Sequence, residues 1–251
     1  VTESSRKHRR GDRRPYSQEV PGHPYKPEQG LKQMIIDDII LDVEATKERD
    51  PAAHSSMEVL LLYQGVHALI AHRFAHWFYE RKCFFAARLI SQISRFFTQI
   101  EIHPGAKLGR GIVIDHGAGV VIGETAEVGN NCTIYQGVTL GGIGTEKGKR
   151  HPTLGNNVTV GAGAKILGSF EVGDNCTIAA NAVLLKPLKK NITVAGVPAK
   201  PVRIDGEEVN KIPHAYSADL GKLQDKIYVL EKRIRMLEKN PGEMKDGSKE
   251  S

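Results

Sequence analysis

Aliphatic residues recur every six positions over much of the chain, and this spacing limits the fold more than any other feature. Ile102, Leu108 and Ile114 open the series. After a slip of two residues it resumes at Ile122, Val128, Ile134 and Leu140, and after a longer gap it runs through Leu154, Val160, Ile166, Val172, Ile178 and Leu184. A helix repeats its inward face about every 3.6 residues and a strand about every two, so neither gives a step of six. Short strands joined by tight turns do. Each anchor then points at one axis, and three steps close a triangular coil. Residues 101–204 therefore read as a mainly β solenoid, a parallel β-helix of about five coils. The segments VGNNCT, LGNNVT, VGAGAK, VGDNCT and IAANAV supply the Gly and Asn that such turns need.

The flanks differ in kind. Arg6, Lys7, Arg9, Arg10, Arg13 and Arg14 precede Pro15, Pro21, Pro24 and Pro27, so residues 1–27 read as a disordered basic tail. Much of the formal charge of +6 is concentrated there, and it does not by itself indicate a nucleic-acid-binding domain. Residues 28–100 carry helical spacing. Leu31, Met34, Ile35, Ile39 and Asp42 mark one helix, which Pro51 ends. Ser55 and Glu58 form a capping-box pattern for a second helix through Leu61, Leu62, Leu69, Phe74 and Phe78. A third spans about Cys83 to Thr98, with Phe85, Leu89, Ile93, Phe96 and Phe97. The apolar faces of these helices are expected to cover the first coil, which would otherwise expose a β edge. Residues 205–240 form a linker and a coiled-coil-like helix, with Tyr216, Leu220, Leu223, Ile227, Leu230, Ile234 and Leu237 at spacings of three and four. That seam suits either a partner helix or the chain's own surface. Residues 241–251 read as a second tail. No apolar run is long enough to span a bilayer. Cys132 and Cys176 hold the same place in their repeats, which suits buried reduced thiols and a cytoplasmic location.

Three departures from the repeat carry chemistry. The step from Leu140 to Leu154 is fourteen residues, and the insertion GGIGTEKGKRHP brings in Arg150 and His151. Solenoids extrude such insertions as loops on a binding face. Asp115 and His116 interrupt a coil as IDHGAG, just where the series slips. His103 stands beside Ile102 and Glu101, and Ile102 precedes Ile114 by twelve residues, two sides of the triangle. A carboxylate and a histidine together can act as an oriented general base, and the coil geometry allows Glu101 and His116 to be near each other. A zinc site built from His103, His116 and His151 is the competing reading. The three occupy different offsets in their repeats, so no metal is expected.

The stretches EIHPGAKLGRGIVIDHGAGVVIGETAEVG, QGVTLGGIG, RHP, GAGAKILG and AGVPAK resemble the serine O-acetyltransferases of the hexapeptide-repeat acyltransferase family, over roughly residues 30–203. The resemblance implies a left-handed parallel β-helix that moves an acetyl group from acetyl-CoA, a co-substrate and not a resident cofactor, directly to the hydroxyl of L-serine in cysteine biosynthesis. It implies that His116 is the base, that His151 positions the hydroxyl, and that Arg150 pairs with the serine carboxylate. Asp50 and Asp115 would receive the ammonium. Glu101 stands where the family has the aspartate partner of its base. Acetyl-CoA would lie between adjacent solenoids of a homotrimer, against Gly142, Ala162, Gly163 and Ala180, with Lys200 and secondarily Lys165 at its phosphates. The short helical region favours a trimer over a hexamer. L-cysteine, which carries the same amino and carboxylate handles, would inhibit. A complex with O-acetylserine sulfhydrylase is not expected, since the chain ends GSKES and not in isoleucine. Two alternatives are a sugar or other hydroxyl acceptor on the same fold, and a non-catalytic trimeric scaffold. Charged groups for both ends of an amino acid favour serine.

Overall fold

The computed structural model describes residues 31–144 and 147–209, together with Ile227 and Leu230. The six-residue step becomes three parallel faces. The first holds β1 (Glu101–Ile102), β4 (Val121–Ile122), β7 (Thr139–Gly141), β10 (Lys165–Leu167) and β13 (Val183–Leu184). The second holds β2 (Lys107–Leu108), β5 (Glu127–Val128), β8 (Thr153–Leu154) and β11 (Glu171–Val172). The third holds β3 (Val113–Asp115), β6 (Thr133–Tyr135), β9 (Thr159–Val160), β12 (Thr177–Ile178) and β14 (Ile192–Ala195), and then β15 (Lys200–Ile204) and β16 (Glu207–Glu208), which join antiparallel. The fold is a left-handed β-helix of the hexapeptide-repeat class.

Register explains the core. Each anchor lies opposite the anchor of the next coil, as in Ile102 with Ile122 and Ile122 with Leu140. All the anchors belong to one continuous buried cluster, with Leu108 at its partly buried margin. The residue two before an anchor is buried as well and fills a corner, where space is narrow. Ala106, Ala126, Cys132, Ala164, Cys176 and Ala182 occupy such corners. Cys132 and Cys176 are free and buried, as their repeat positions imply. Outside the corners, Asn157, Asn175 and Asn191 adopt left-handed turns and bond to one another in a ladder, at 3.1 and 2.9 Å.

Among the described residues four helices precede the solenoid: α1 (Leu31–Arg49), α2 (Ser56–Leu62), α3 (Gln64–Glu80) and α4 (Phe84–Thr98). Ser55 caps α2 by accepting the Glu58 N–H at 3.1 Å, but Glu58 returns its bond to the His54 N–H and not to that of Ser55. The second helix expected from sequence is two helices. Tyr63 takes an extended conformation between them, and its hydroxyl donates to Asp50 at 2.7 Å. Gly65 then brings α3 against the backbone of Ile114, where any Cβ would overlap the carbonyl. Asp42, which shares the helical spacing of the apolar residues in α1, is a buried anion. It pairs with Arg73 at 2.6 Å and accepts the backbone N–H of Ile112 at 2.9 Å, so one carboxylate ties α1, α3 and the first coil together. Burial outweighs these partners and pushes its pKa up to about 6.

The expectation that apolar helix faces cover the first coil needs correction for α4. That helix buries its small residues Ala87 and Ser91, and Ser91 donates to the Ile102 carbonyl at 2.7 Å. Phe85, Phe96 and Phe97 face outward instead, each more than 70% exposed. Close approach to the coil admits only small side chains, so the aromatic stripe turns away. The basic tail, the C-terminal sequence GSKES and the heptad helix lie outside the described residues, apart from Ile227 and Leu230, which are helical and about half exposed. Among the described residues no helix is long and apolar enough to cross a membrane.

Replacing Asp42 by Ala should destabilise the fold by about 3 kcal/mol or more, because Arg73 is left buried without its main partner. Asp42→Asn should cost less, since its amide oxygen can still accept the Ile112 N–H. Urea unfolding midpoints measure both.

Candidate active site

The chemistry-bearing residues gather on two different edges of the triangular prism. The edge between the third and first faces carries Asp115, at the end of β3, and His116 directly after it. The two-residue slip is absorbed here as a bulged turn. His116 has φ 56° and Gly117 φ 37°, and the Ala118 N–H closes back on the His116 carbonyl at 2.6 Å. A non-glycine residue in the left-handed region is uncommon, although the asparagine turns of this solenoid share it. The His116 side chain is 76% exposed, with Nε2 3.8 Å from Asp115 Oδ1. Asp50, just beyond α1, joins them. Its carboxylate accepts the Ala52 N–H at 2.8 Å and the Tyr63 hydroxyl at 2.7 Å. These bonds, with a smaller contribution from His116, hold it below the usual carboxylate range. The same hydrogen bond pushes the Tyr63 phenol up to about 12.

The edge continues upward as a backbone ladder: Gly137 N–H to Ala118, Gly163 N–H to Gln136, and Asn181 N–H to Ala162, at 2.8–2.9 Å. Ala162, Gly163 and Ala180 therefore lie along one edge with His116. Gly163 has φ 70° and a Cβ there would overlap Asn181, so turn stacking alone requires this glycine. Lys165 donates its ammonium to the Gly137 carbonyl and the Thr139 hydroxyl, at 2.5 and 3.1 Å. Lys200 opens β15, exposed, opposite Ala195.

The edge between the first and second faces carries His103, Glu124, Arg150 and His151. Arg150 returns from the insertion and pairs with Glu124 at 2.5 Å, while Tyr79 of α3 donates to the other oxygen of Glu124 at 3.1 Å. Arg150 is the main cause that holds Glu124 below its usual pKa. Gly142 lies under this return. A Cβ there would sit 3.0 Å from the Arg150 carbonyl oxygen, so its small size admits the loop itself. His151 is buried, and its Nδ1 accepts the Thr125 N–H at 3.1 Å. Burial and then Arg150 lower its pKa, and burial also lowers that of His103.

The structure does not pair Glu101 with His116 within one chain. The Glu101 carboxylate is held by Arg95 at 3.1 Å and Arg88 at 3.3 Å, both from α4. His103 and His151 share one edge and His116 lies on another, and the described residues contain no group of three or more His, Cys, Asp or Glu able to hold a metal ion. Sequence reasoning missed Tyr63, Tyr79, Glu124 and Thr125. Glu124 and Thr125 had a signal: IGETAEV aligns with IHPGAKL one coil earlier, so Thr125 replaces Gly105 and Gly123 replaces His103. The two tyrosines are placed by long-range packing and had none.

Comparison with known proteins bears on this arrangement. The family description "Serine acetyltransferase, N-terminal" matches residues 28–71, and "Bacterial transferase hexapeptide (six repeats)" matches residues 151–186. The serine acetyltransferase of Synechococcus elongatus is 50% identical over 201 residues, 78% of this chain and 82% of that protein. The chain belongs to the serine acetyltransferase family. A solved serine acetyltransferase of Neisseria gonorrhoeae, in complex with serine, is similar with 42% identity and a TM-score of 0.66, covering 68% of this chain and 70% of that one. Another serine acetyltransferase, solved in complex with cysteine, has 42% identity and a TM-score of 0.67, covering 68% and 71%. This member is accordingly an acyltransferase that uses acetyl-CoA as co-substrate.

Gly123 faces the His151 ring so closely that any Cβ would overlap it. Gly123→Ala should displace the ring and lower turnover of this acetyltransferase by about tenfold or more, with the coils still formed. Steady-state rates and far-UV circular dichroism measure the two effects.

Proposed function

We propose that the two edges are halves of one acetyl-transfer site, completed between neighbouring copies of the chain. The reaction is transfer of the acetyl group of acetyl-CoA to the hydroxyl of L-serine, giving O-acetyl-L-serine and CoA for cysteine biosynthesis. One observation carries the reading. Two carboxylates and an exposed histidine occupy one edge, and a guanidinium occupies another. A molecule as small as serine needs all of them at once: anions for its ammonium, a cation for its carboxylate and a base for its hydroxyl. Edges of a prism point apart, so the groups converge only when the third–first edge of one copy meets the first–second edge of the next. Closing that contact head to tail gives a ring, and three copies suit a triangular prism.

In this site Asp50 and Asp115 receive the ammonium, and Arg150 of the partner subunit exchanges Glu124 for the serine carboxylate. His116 takes the hydroxyl proton as the alkoxide oxygen attacks the thioester carbonyl, and CoA leaves as the thiol after proton return. Glu101 is assigned to orient His116, a contact that assembly has to complete. His151 of the partner subunit meets a substrate oxygen. Acetyl-CoA runs up the edge past Ala162, Gly163 and Ala180, toward Lys200 at its phosphates, with Gly142 on the facing copy. Lys165 is a weaker phosphate partner, because its ammonium is bonded inward. L-cysteine has both charged handles of serine and competes for the same groups; the solved relative with bound cysteine supports this. Buried free thiols at Cys132 and Cys176 support a reducing, cytoplasmic location.

His116→Ala should lower the transfer rate by about 10²–10⁴-fold. Arg150→Ala should raise KM for serine far more than KM for acetyl-CoA. Co-expression of the two variants supplies the sharper measurement. In a ring with shared sites, random mixing restores about a quarter of the intact edge pairs, so activity returns. Sites contained within single chains would leave the mixture, assayed at low serine, no more active than the average of its parents.

A further inference from the structure

The surroundings of His151 decide where its proton lies. Nδ1 accepts the backbone N–H of Thr125 at 3.1 Å. A backbone amide only donates, so Nδ1 presents a lone pair and the neutral ring carries its hydrogen on Nε2. The Thr125 hydroxyl, 2.9 Å from the same nitrogen, therefore also donates to it. Its oxygen meanwhile accepts the backbone N–H groups of Arg150 and His151, at 3.0 and 3.1 Å. Lys149 completes the clasp through the Thr125 carbonyl at 2.7 Å. Three consecutive residues of the insertion are thus fastened to one residue of the preceding coil. Gly123 has no side chain to cover the Nε2 edge of the ring, since a Cβ there would overlap Nε2 and Cδ2. Nε2–H is then the one polar group that the ring can offer to a substrate.

We propose that Thr125 is a positioning residue of the transferase site, which fixes His151 as a neutral hydrogen-bond donor through Nε2–H and sets Arg150 beside it. The inference rests on the placement of Arg150 and His151 in the substrate site above. It assigns His151 to meeting a substrate oxygen and excludes it as a second base, because its accepting nitrogen is already engaged twice. The charges around the ring agree with a neutral state: burial, Arg150, His103 and Lys149 all disfavour the imidazolium, with Glu124 opposing them.

The test compares the unaltered chain with Thr125→Val, Thr125→Ser and His151→Ala. Thr125→Val should lower kcat/KM for serine by about tenfold to hundredfold and leave KM for acetyl-CoA little changed. Thr125→Ser, which keeps the hydroxyl, should stay near wild type. Nitrogen-15 NMR of histidine-labelled protein should show His151 with its proton on Nε2 through neutral pH. In Thr125→Val the ring loses one of two donors to Nδ1 and should titrate at higher pH. A proton on Nδ1 in the wild type, or wild-type kinetics and titration in Thr125→Val, would overturn the proposal. The wild-type spectrum tests the tautomer even where a variant does not fold. Full activity in His151→Ala would instead remove His151 from the site, and so defeat the reading on which the proposal rests.

Discussion

Everything in this molecule depends on the in-register stacking of one coil on the next. Each short strand is held mainly by its hydrogen bonds to the coils above and below and by the anchors that meet along the axis. A two-residue strand has no stability alone. Its position is therefore inherited from its neighbours, and any residue that fits the repeat is fixed with the same accuracy as the core. Departures from the repeat have nowhere to go but outward at the edges. The slip at His116 and the insertion ending at His151 both do this, and both edges gain their chemistry in that way.

The helices extend the same logic. Asp42 and Arg73 anchor α1 and α3 to the start of the solenoid, and Arg49 adds bonds to the carbonyls of Gly111 and Cys132. Asp50 follows Arg49 directly and so is placed next to His116 by an attachment made elsewhere. Tyr63, at the break between α2 and α3, then holds the Asp50 carboxylate in one orientation. On the other edge Tyr79 of α3 does the same for Glu124. The helical region thus orients a carboxylate on each edge.

Much of this was legible in the sequence, for a stated reason. A repeat makes each coil evidence for the next, so the anchors, the coil number and the outward loop follow from spacing alone. His116 and Arg150 could be singled out because they break a pattern that otherwise favours small residues. That Glu101 and His116 do not meet within one chain could not be read from the spacing. A distance of fifteen residues fixes coil and face, but the partners of an outward side chain come from whatever packs over that face, here Arg88 and Arg95 of α4. Gly142 and Gly163 have a second reason to be small that spacing does not reveal. Their smallness is required by the Arg150 return and by turn stacking, before any ligand is considered. The break at Tyr63 was hidden because apolar spacing continues across it at helical intervals.

The ion pair of Arg150 with Glu124 has a consequence for discrimination among acceptors. The guanidinium already holds one carboxylate before a substrate arrives. In the proposed site an incoming carboxylate replaces one anion by another at this guanidinium. An alcohol without a carboxylate, a sugar for example, must either leave that pair intact and forgo the contact or break it with nothing to offer in return. On the proposed reading, resident occupancy turns a cation that could attract any anion or dipole into a filter, in which the rejected molecules bear the cost and the accepted one takes a place already prepared.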